Sequence, residues 1–247
     1  MEQRENKVAL ARLNGQAKRY ETMKNIIVGV VKSADQPTAE ETHLLGIAYS
    51  KLEHALRDAW RFVSSKLEEP DANTAVVEDC REAIRQELND LCSEVIALMD
   101  NDIIPRCTSG ALQVFCFKMK GDYKRYIAEC TLGDDKRALI ERAEEAYKVL
   151  YSLQIHRRRT NADYKVQTGF RIATKTLEPC DSARLGLVLN YSVFAYEFQS
   201  RDDGRSIAVQ ALKDAEAEGA ALEKNNDGAA ILKLLQGNLD AWGVDEK

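Results

Sequence analysis

The chain has 247 residues, 30% of them charged, and a formal net charge of −5. That length can bury a sizeable core as one large domain or two small ones, while the acidic balance argues against a general binder of nucleic acid or anionic membrane, which carries basic charge. Only four prolines and little clustering of β-branched residues favour helices.

The opening stretch MEQRENKVALARLNG has no apolar signal segment, and no later run is long enough to span a bilayer. The expectation is a cytoplasmic protein that makes no use of membrane. Turn signals fall at Asn14-Gly15, Ser33 to Thr38, Glu69 to Thr74, Pro105 to Gly110, Leu132 to Asp134, Glu178 to Ser182, Ser200 to Gly204 and Lys224 to Gly228. Between them apolar residues recur at helical spacing and no strand-like alternation appears, so the predicted fold class is all-α.

The third helix is the most sharply delimited. Thr38-Ala39-Glu40-Glu41 is a capping box, and Leu45, Ala48, Leu52, Ala55, Ala59 and Phe62 or Val63 make an apolar face down to Pro70. The opposite stripe is Ser50, His54, Arg57 and Arg61 at i, i+4, i+7, i+11. Two arginines read as lacking acidic partners at i±4 suggest a common anion. His54 alone is a polar bystander, with no second His or Cys at metal spacing.

In QVFCFKMKGDYKRYIAECTLG, Gln113 to Gly133, Lys118, Asp122, Arg125 and Glu129 form a second stripe, with Tyr126 beside Arg125. Val114, Phe115, Phe117, Met119, Ile127 and Ala128 cover much of the remaining girth, which implies a buried helix whose charges face a groove or a partner. Arg and Tyr side by side suit an oxyanion such as phosphate. The plainer alternative is a salt-bridged face in which Asp122 and Glu129 pair Lys118 and Arg125.

Two later helices carry polar residues in apolar runs. Asn190, Val193 and Glu197 share a face, with Leu189 adjoining, and Ile231, Leu234, Asn238 and Ala241 share another beside Trp242. An Asn amide donates and accepts at once, which suits the backbone of an extended peptide, although it equally suits a neighbouring helix. Six scattered cysteines without a C-x-x-C pair read as buried reduced thiols. Asp134-Asp135 reads as a helix start rather than a carboxylate dyad. No phosphate loop, nucleophile elbow, metal signature or kinase signature occurs, so neither enzyme activity, metal nor cofactor is expected.

Taken together, RYETM, LLGIAYSKLEHALRDAWRFVSS, REAIRQELNDLCSEVIALMDNDIIP, FKMKGDYKRYIAE, GDDK, RLGLVLNYSVFAYE and LLQGNLDAW resemble the 14-3-3 family of phosphopeptide-binding proteins, in the family's order. The resemblance implies a single domain over 1–247 of nine antiparallel helices forming a cup with a concave ligand groove. Residues 1–104 would be the dimerisation half and groove floor, and residues from about 149 to 168 an insertion.

It further implies an adaptor for proteins bearing phosphoserine or phosphothreonine, acting by masking, clamping or bridging them. Arg57, Arg125 and Tyr126 would hold the phosphate, with Arg61 close behind and Lys118 lining the groove. Asn190 and Asn238 would hold the ligand backbone, Glu197 and Trp242 would touch its flank, and Leu189, Val193, Ile231 and Leu234 would form an apolar wall. Leu13, Ala17, Arg19, Ala59 and Glu87 would belong to a homodimer seam. The sequence departs from the family where Ser50 replaces a groove lysine, where Gly237 and Ala241 thin the last helix, and where Thr22, Ala83 and Cys80 alter the seam.

Two rival readings remain beside it: a helical-repeat scaffold for unmodified peptide, against which stands the lack of a repeat period, and a phosphate-processing enzyme, which lacks a nucleophile, base or metal set.

Overall fold

The computed structural model describes residues 2–131, 136–144, 147, 178–217 and 226–244. Among these the architecture is all-α and no strand occurs, as the periodicity predicts. The helices are α1 (Glu2–Gln16), α2 (Tyr20–Ser33), α3 (Ala39–Ser65), α4 (Thr74–Leu98), α5 (Gly110–Glu129), α6 (residues 136–144), α7 (Ser182–Phe198), α8 (Arg201–Glu216) and α9 (Asn226–Val244). Asp134-Asp135, His156 and the segment from about 149 to 168 lie outside the described residues.

Contacts divide the chain into two compact units: Met1–Thr108 with Tyr123–Leu139, and Ser109–Asp122 with Ile140–Lys247. Helix α5 therefore contributes its residues up to Asp122 to the second unit and those from Tyr123 onward to the first. In the first unit α1 packs on α2, α2 on α3 and α3 on α4; in the second, α7, α8 and α9 pack on one another.

Local chemistry sets the helix starts. The Thr38 hydroxyl accepts from the Glu41 amide at 3.2 Å while the Glu41 carboxylate accepts from the Thr38 amide at 2.8 Å, the capping box read from the sequence. The same carboxylate takes both Nε and Nη2 of Arg4 at 2.6 Å, which ties α1 to the start of α3. Asp181 accepts from the amides of Ala183 and Arg184 to open α7.

The break expected at Asn14-Gly15 falls later. Both residues stay within α1, with Asn14 buried and donating to the Leu10 carbonyl, and the chain turns at Lys18, whose φ of 57° is left-handed. The apolar face expected on α3 also holds only in its first half. Leu45 and Ala48 are buried, but the buried face continues through Tyr49 to Glu53, leaving Ala55 exposed and Phe62 63% exposed. A helix of about 3.6 residues per turn presents 45, 49 and 53 on one line, and that line reaches the core.

The second unit has its centre at Tyr147, Leu185, Leu187, Phe194 and Leu235, all 1% exposed or less. Two glycines set its close approaches. A Cβ at Gly204 would lie 2.5 Å from the Cβ of Tyr196 and 2.7 Å from the Ser192 carbonyl oxygen, so only glycine lets α8 lie this near α7. A Cβ at Gly121 would lie 2.6 Å from the ring of Tyr147. Five of the six cysteines are buried and Cys80 is exposed, against the expectation of burial.

Candidate functional site

The first unit gathers cations around one aromatic ring. Arg57 comes from the middle of α3, and Arg125 with Tyr126 from the last turns of α5. The guanidinium carbon of Arg57 lies 4.1 Å from the Tyr126 ring centroid and that of Arg125 lies 4.7 Å from it. The ring is itself steadied by an edge contact with Tyr123 at 5.7 Å, and Tyr123 by one with Tyr49 at 6.4 Å. Two like charges held near one ring repel each other unless an anion compensates them.

Three carboxylates supply compensation here. Glu129 accepts from Arg57 Nη2 at 2.5 Å and Nε at 3.1 Å through one oxygen, and from Arg61 Nη2 at 2.5 Å through the other. Arg57 Nη1 meets Glu53 at 3.4 Å, and Arg61 Nη1 meets Asp58 at 3.3 Å. Arg57 thus has an acidic neighbour four residues back, which corrects the reading that the α3 arginines have none. The signal was legible in the i−4 spacing, but Glu53 lies between the stripe and the apolar face and belonged to neither. The pairing of Glu129 crosses from α5 to α3, so the plain reading of intrahelical pairs along α5 holds for Lys118 and Asp122 while Glu129 also bridges helices.

The two carboxyls that flank Arg57 are tuned oppositely. Burial pushes the Glu53 carboxyl above its ordinary value, a rise that the Arg57, His54 and Arg125 charges only partly offset. Burial also pushes Glu129 upward, but the Arg57 charge and the hydrogen bonds from Arg61 and Arg57 outweigh it and hold Glu129 below the usual range. Beneath them the Cys92 thiol is driven up by burial and by the Glu53 charge, and the Cys130 thiol is pushed up to about 11, first by burial and then by the Glu129 charge. Neither thiol is a nucleophile under ordinary conditions.

The second unit builds a different arrangement around Asp122. Its carboxylate accepts from Lys118 Nζ at 2.8 Å, from the Tyr147 hydroxyl at 2.5 Å and from Asn190 Nδ2 at 2.6 Å. Lys118 and Asp122 are one helical turn apart on α5, and Asn190 reaches them from α7. With its NH2 group turned to Asp122, Asn190 has its side-chain oxygen fixed in direction as an acceptor. Lys118 and Ile231 both lie beside Gly186 of α7, where an ideal Cβ would meet Lys118 Cε at 3.7 Å and Ile231 Cδ1 at 3.8 Å, ordinary packing distances.

Leu189, Val193 and Ile231 are partly buried against the core of this unit, while Leu234 is 57% exposed. Asn238 is half-buried and Glu197 exposed. Trp242 is 9% exposed, its ring stacked on Tyr196 at 4.3 Å and 8°, and its carbonyl accepts from Arg205. At the expected seam Leu13 is 60% exposed, Ala17, Arg19 and Glu87 are exposed, and Ala59 is half-buried. Among the described residues, no group of three or more His, Cys, Asp or Glu could hold a metal ion, and no helix is long and apolar enough to cross a membrane.

The family model of the 14-3-3 protein matches residues 10–161 and 153–243. The checkpoint signal transducer rad25 of Schizosaccharomyces pombe is 37% identical over 250 residues, covering 98% of this chain and 86% of that protein. The 14-3-3-like protein 2 of Caenorhabditis elegans is 34% identical over 248 residues, covering 98% and 92%, and the 14-3-3 protein beta/alpha-1 of Oncorhynchus mykiss is 35% identical over 241 residues, covering 95% and 91%.

Proposed function

The chain belongs to the 14-3-3 family, and from that premise we propose that it is a non-catalytic, cytoplasmic adaptor that binds phosphoserine- or phosphothreonine-containing segments of partner proteins and regulates them by masking, clamping or bridging. The observation that carries the reading is the pair of guanidinium groups, Arg57 and Arg125, gathered at one tyrosine ring, with Arg61 joined to Arg57 through Glu129. A phosphate monoester brings about −1.5 to −2 charges and three acceptor oxygens, which answers such a cluster, whereas a plain hydroxyl brings no charge. Helices α3 and α5 hold the arginines before the ligand arrives, so little side-chain entropy is lost on binding.

In this reading Arg57, Arg125, Tyr126 and Arg61 take the phosphate. Asn190 and Asn238 take the ligand backbone, with Lys118, Glu197 and Trp242 as further contacts and Leu189, Val193, Ile231 and Leu234 as the apolar wall. The protein acts as a homodimer through Leu13, Ala17, Arg19, Ala59 and Glu87, which raises avidity for doubly phosphorylated partners by effective concentration. The exposed Leu10, Leu13 and Phe62 supply apolar surface for such a seam.

The test is fluorescence anisotropy with one peptide in phosphorylated and plain forms. Arg57→Ala and Arg125→Ala should each cut the phospho-dependent affinity about 10- to 100-fold, the loss of charge-assisted hydrogen bonds, with circular dichroism unchanged. Retained phospho-selectivity in both variants would move the site elsewhere, and steady release of phosphate would make the protein an enzyme. Light scattering through a dilution series that showed only monomer would remove the dimer.

A further inference from the structure

The side of Arg57 best suited to an oxyanion is already occupied. Its Nε and Nη2 form the edge that meets an oxyanion bidentately, and both donate to one oxygen of Glu129, while the other oxygen takes Arg61. The remaining Nη1 is turned to Glu53. A single internal carboxylate therefore bridges the two α3 arginines in the way a bound oxyanion would.

The two acidic neighbours differ in their freedom. The Glu53 side chain is 4% exposed and enclosed, with a long contact of 3.4 Å to Arg57. The Glu129 side chain is 24% exposed and belongs to the last residue of α5, so a change of rotamer takes its carboxylate into water. Arg57 itself, 12% exposed, has little room to leave, whereas Arg61 is 45% exposed. When another anion approaches this edge, the group with an exit is Glu129.

We infer that Glu129 is an internal competing anion that a ligand phosphate must displace from Arg57 and Arg61, while Glu53 stays in place and positions Arg57. The inference rests on the phosphate-binding reading given above. A tethered carboxylate stands at high effective concentration, so it lowers the affinity of every incoming anion by a common factor. A ligand carboxylate would exchange like for like and gain no hydrogen bonds. A phosphate brings a second charge and a third oxygen, and overcomes the same penalty. The device sets a floor that acidic side chains of other proteins do not clear. It adds to the effect of Ser50, which removes one cation from the family's pattern, so this chain demands a well-matched ligand.

The experiment measures anisotropy with three peptides differing only at the central position, which carries phosphoserine, glutamate or serine. In E129Q the affinities for the phosphoserine and glutamate peptides should both rise, by about fivefold to tenfold and by the same factor, since a charge-assisted hydrogen bond no longer opposes either. The serine peptide should be unchanged. Weaker binding of the phosphoserine peptide by E129Q would show that Glu129 aligns the arginines instead of competing, and would overturn the inference. A measurement on the wild type does not depend on how the variant folds. The 13C carboxylate resonance of Glu129 should titrate at higher pH in the presence of saturating phosphoserine peptide, because the carboxylate has left the arginines, and an unchanged midpoint would overturn the displacement. Equal binding of all three peptides by the wild type would instead overturn the phosphate reading itself.

Discussion

Helix α5 carries two carboxylates that hold cations, one in each unit, and they do opposite things. Asp122 is 7% exposed in its side chain and saturated by three donors, Lys118, Tyr147 and Asn190. Glu129 is 24% exposed and held by two long arginine side chains, one of them half in water. Removing a donor or acceptor from a buried, saturated network leaves others unsatisfied, whereas a partly exposed ion pair exchanges with water at small net cost. The difference separates a fixed fitting from a replaceable one, and it comes from burial and donor count rather than from the residue type.

The comparison breaks most directly at Asp122. Asp122→Ala leaves a lysine, a tyrosine hydroxyl and an asparagine amide without their acceptor, and should cost about 3–5 kcal/mol of unfolding free energy. Glu129→Gln should cost less than about 1 kcal/mol. Urea denaturation of the two variants beside the wild type reads both numbers. Equal losses would mean that the two carboxylates are not different in kind.

The next effect in size lies at Arg57. Removing its guanidinium strands Glu53 in a site with almost no solvent, and Arg57→Ala should lower stability by about 2 kcal/mol at neutral pH. Adding Glu53→Gln to that variant should recover most of the loss, because the stranded charge is gone. A double-mutant cycle over the two positions should therefore be strongly non-additive. Additive losses would mean that the 3.4 Å contact carries no coupling. Arg61→Ala, at a side chain nearly half exposed, should change stability by about 0–1 kcal/mol.

These contrasts also mark what could be read without coordinates. The helices, the capping box at Thr38 and the Lys118–Asp122 pair follow from periods and spacings within one segment, and local chemistry fixes each of them. The two charged stripes were legible for the same reason. Which carboxylate serves which arginine was not, because the Glu129 bond joins residues 57 and 129, and no local spacing records a contact between α3 and α5. Glu53 was missed because a charge beside an apolar face reads as surface until the burial of Tyr49 and Glu53 is known. Asn14-Gly15 is a strong turn signal, yet the chain turns at Lys18, because the Asn14 side chain bonds back into its own helix.

The smallest expected effect sharpens the comparison between the two partners of Arg57 themselves. Glu53 is raised in the folded protein, so its contribution to stability is complete below the ordinary glutamate value of about 4.3 and is lost as pH rises through its folded value. Glu129 is lowered, so its contribution is complete above about 4.3 and is lost as pH falls through its folded value. The charges facing Glu53 are Arg57 and His54 on α3 and Arg125 on α5, and the Cys92 thiol on α4 also feels it. Glu129 faces Arg57 and Arg61, with Cys130 beside it. Thermal melts at closely spaced pH values, with each variant set against the wild type, should therefore give opposite slopes in different windows. The wild type should lose ground to E53Q as pH climbs above about 4.3, and lose its advantage over E129Q as pH drops below it. Parallel slopes would mean that one environment governs both carboxylates, and the distinction between a fixed and a displaceable partner of Arg57 would then have no electrostatic basis.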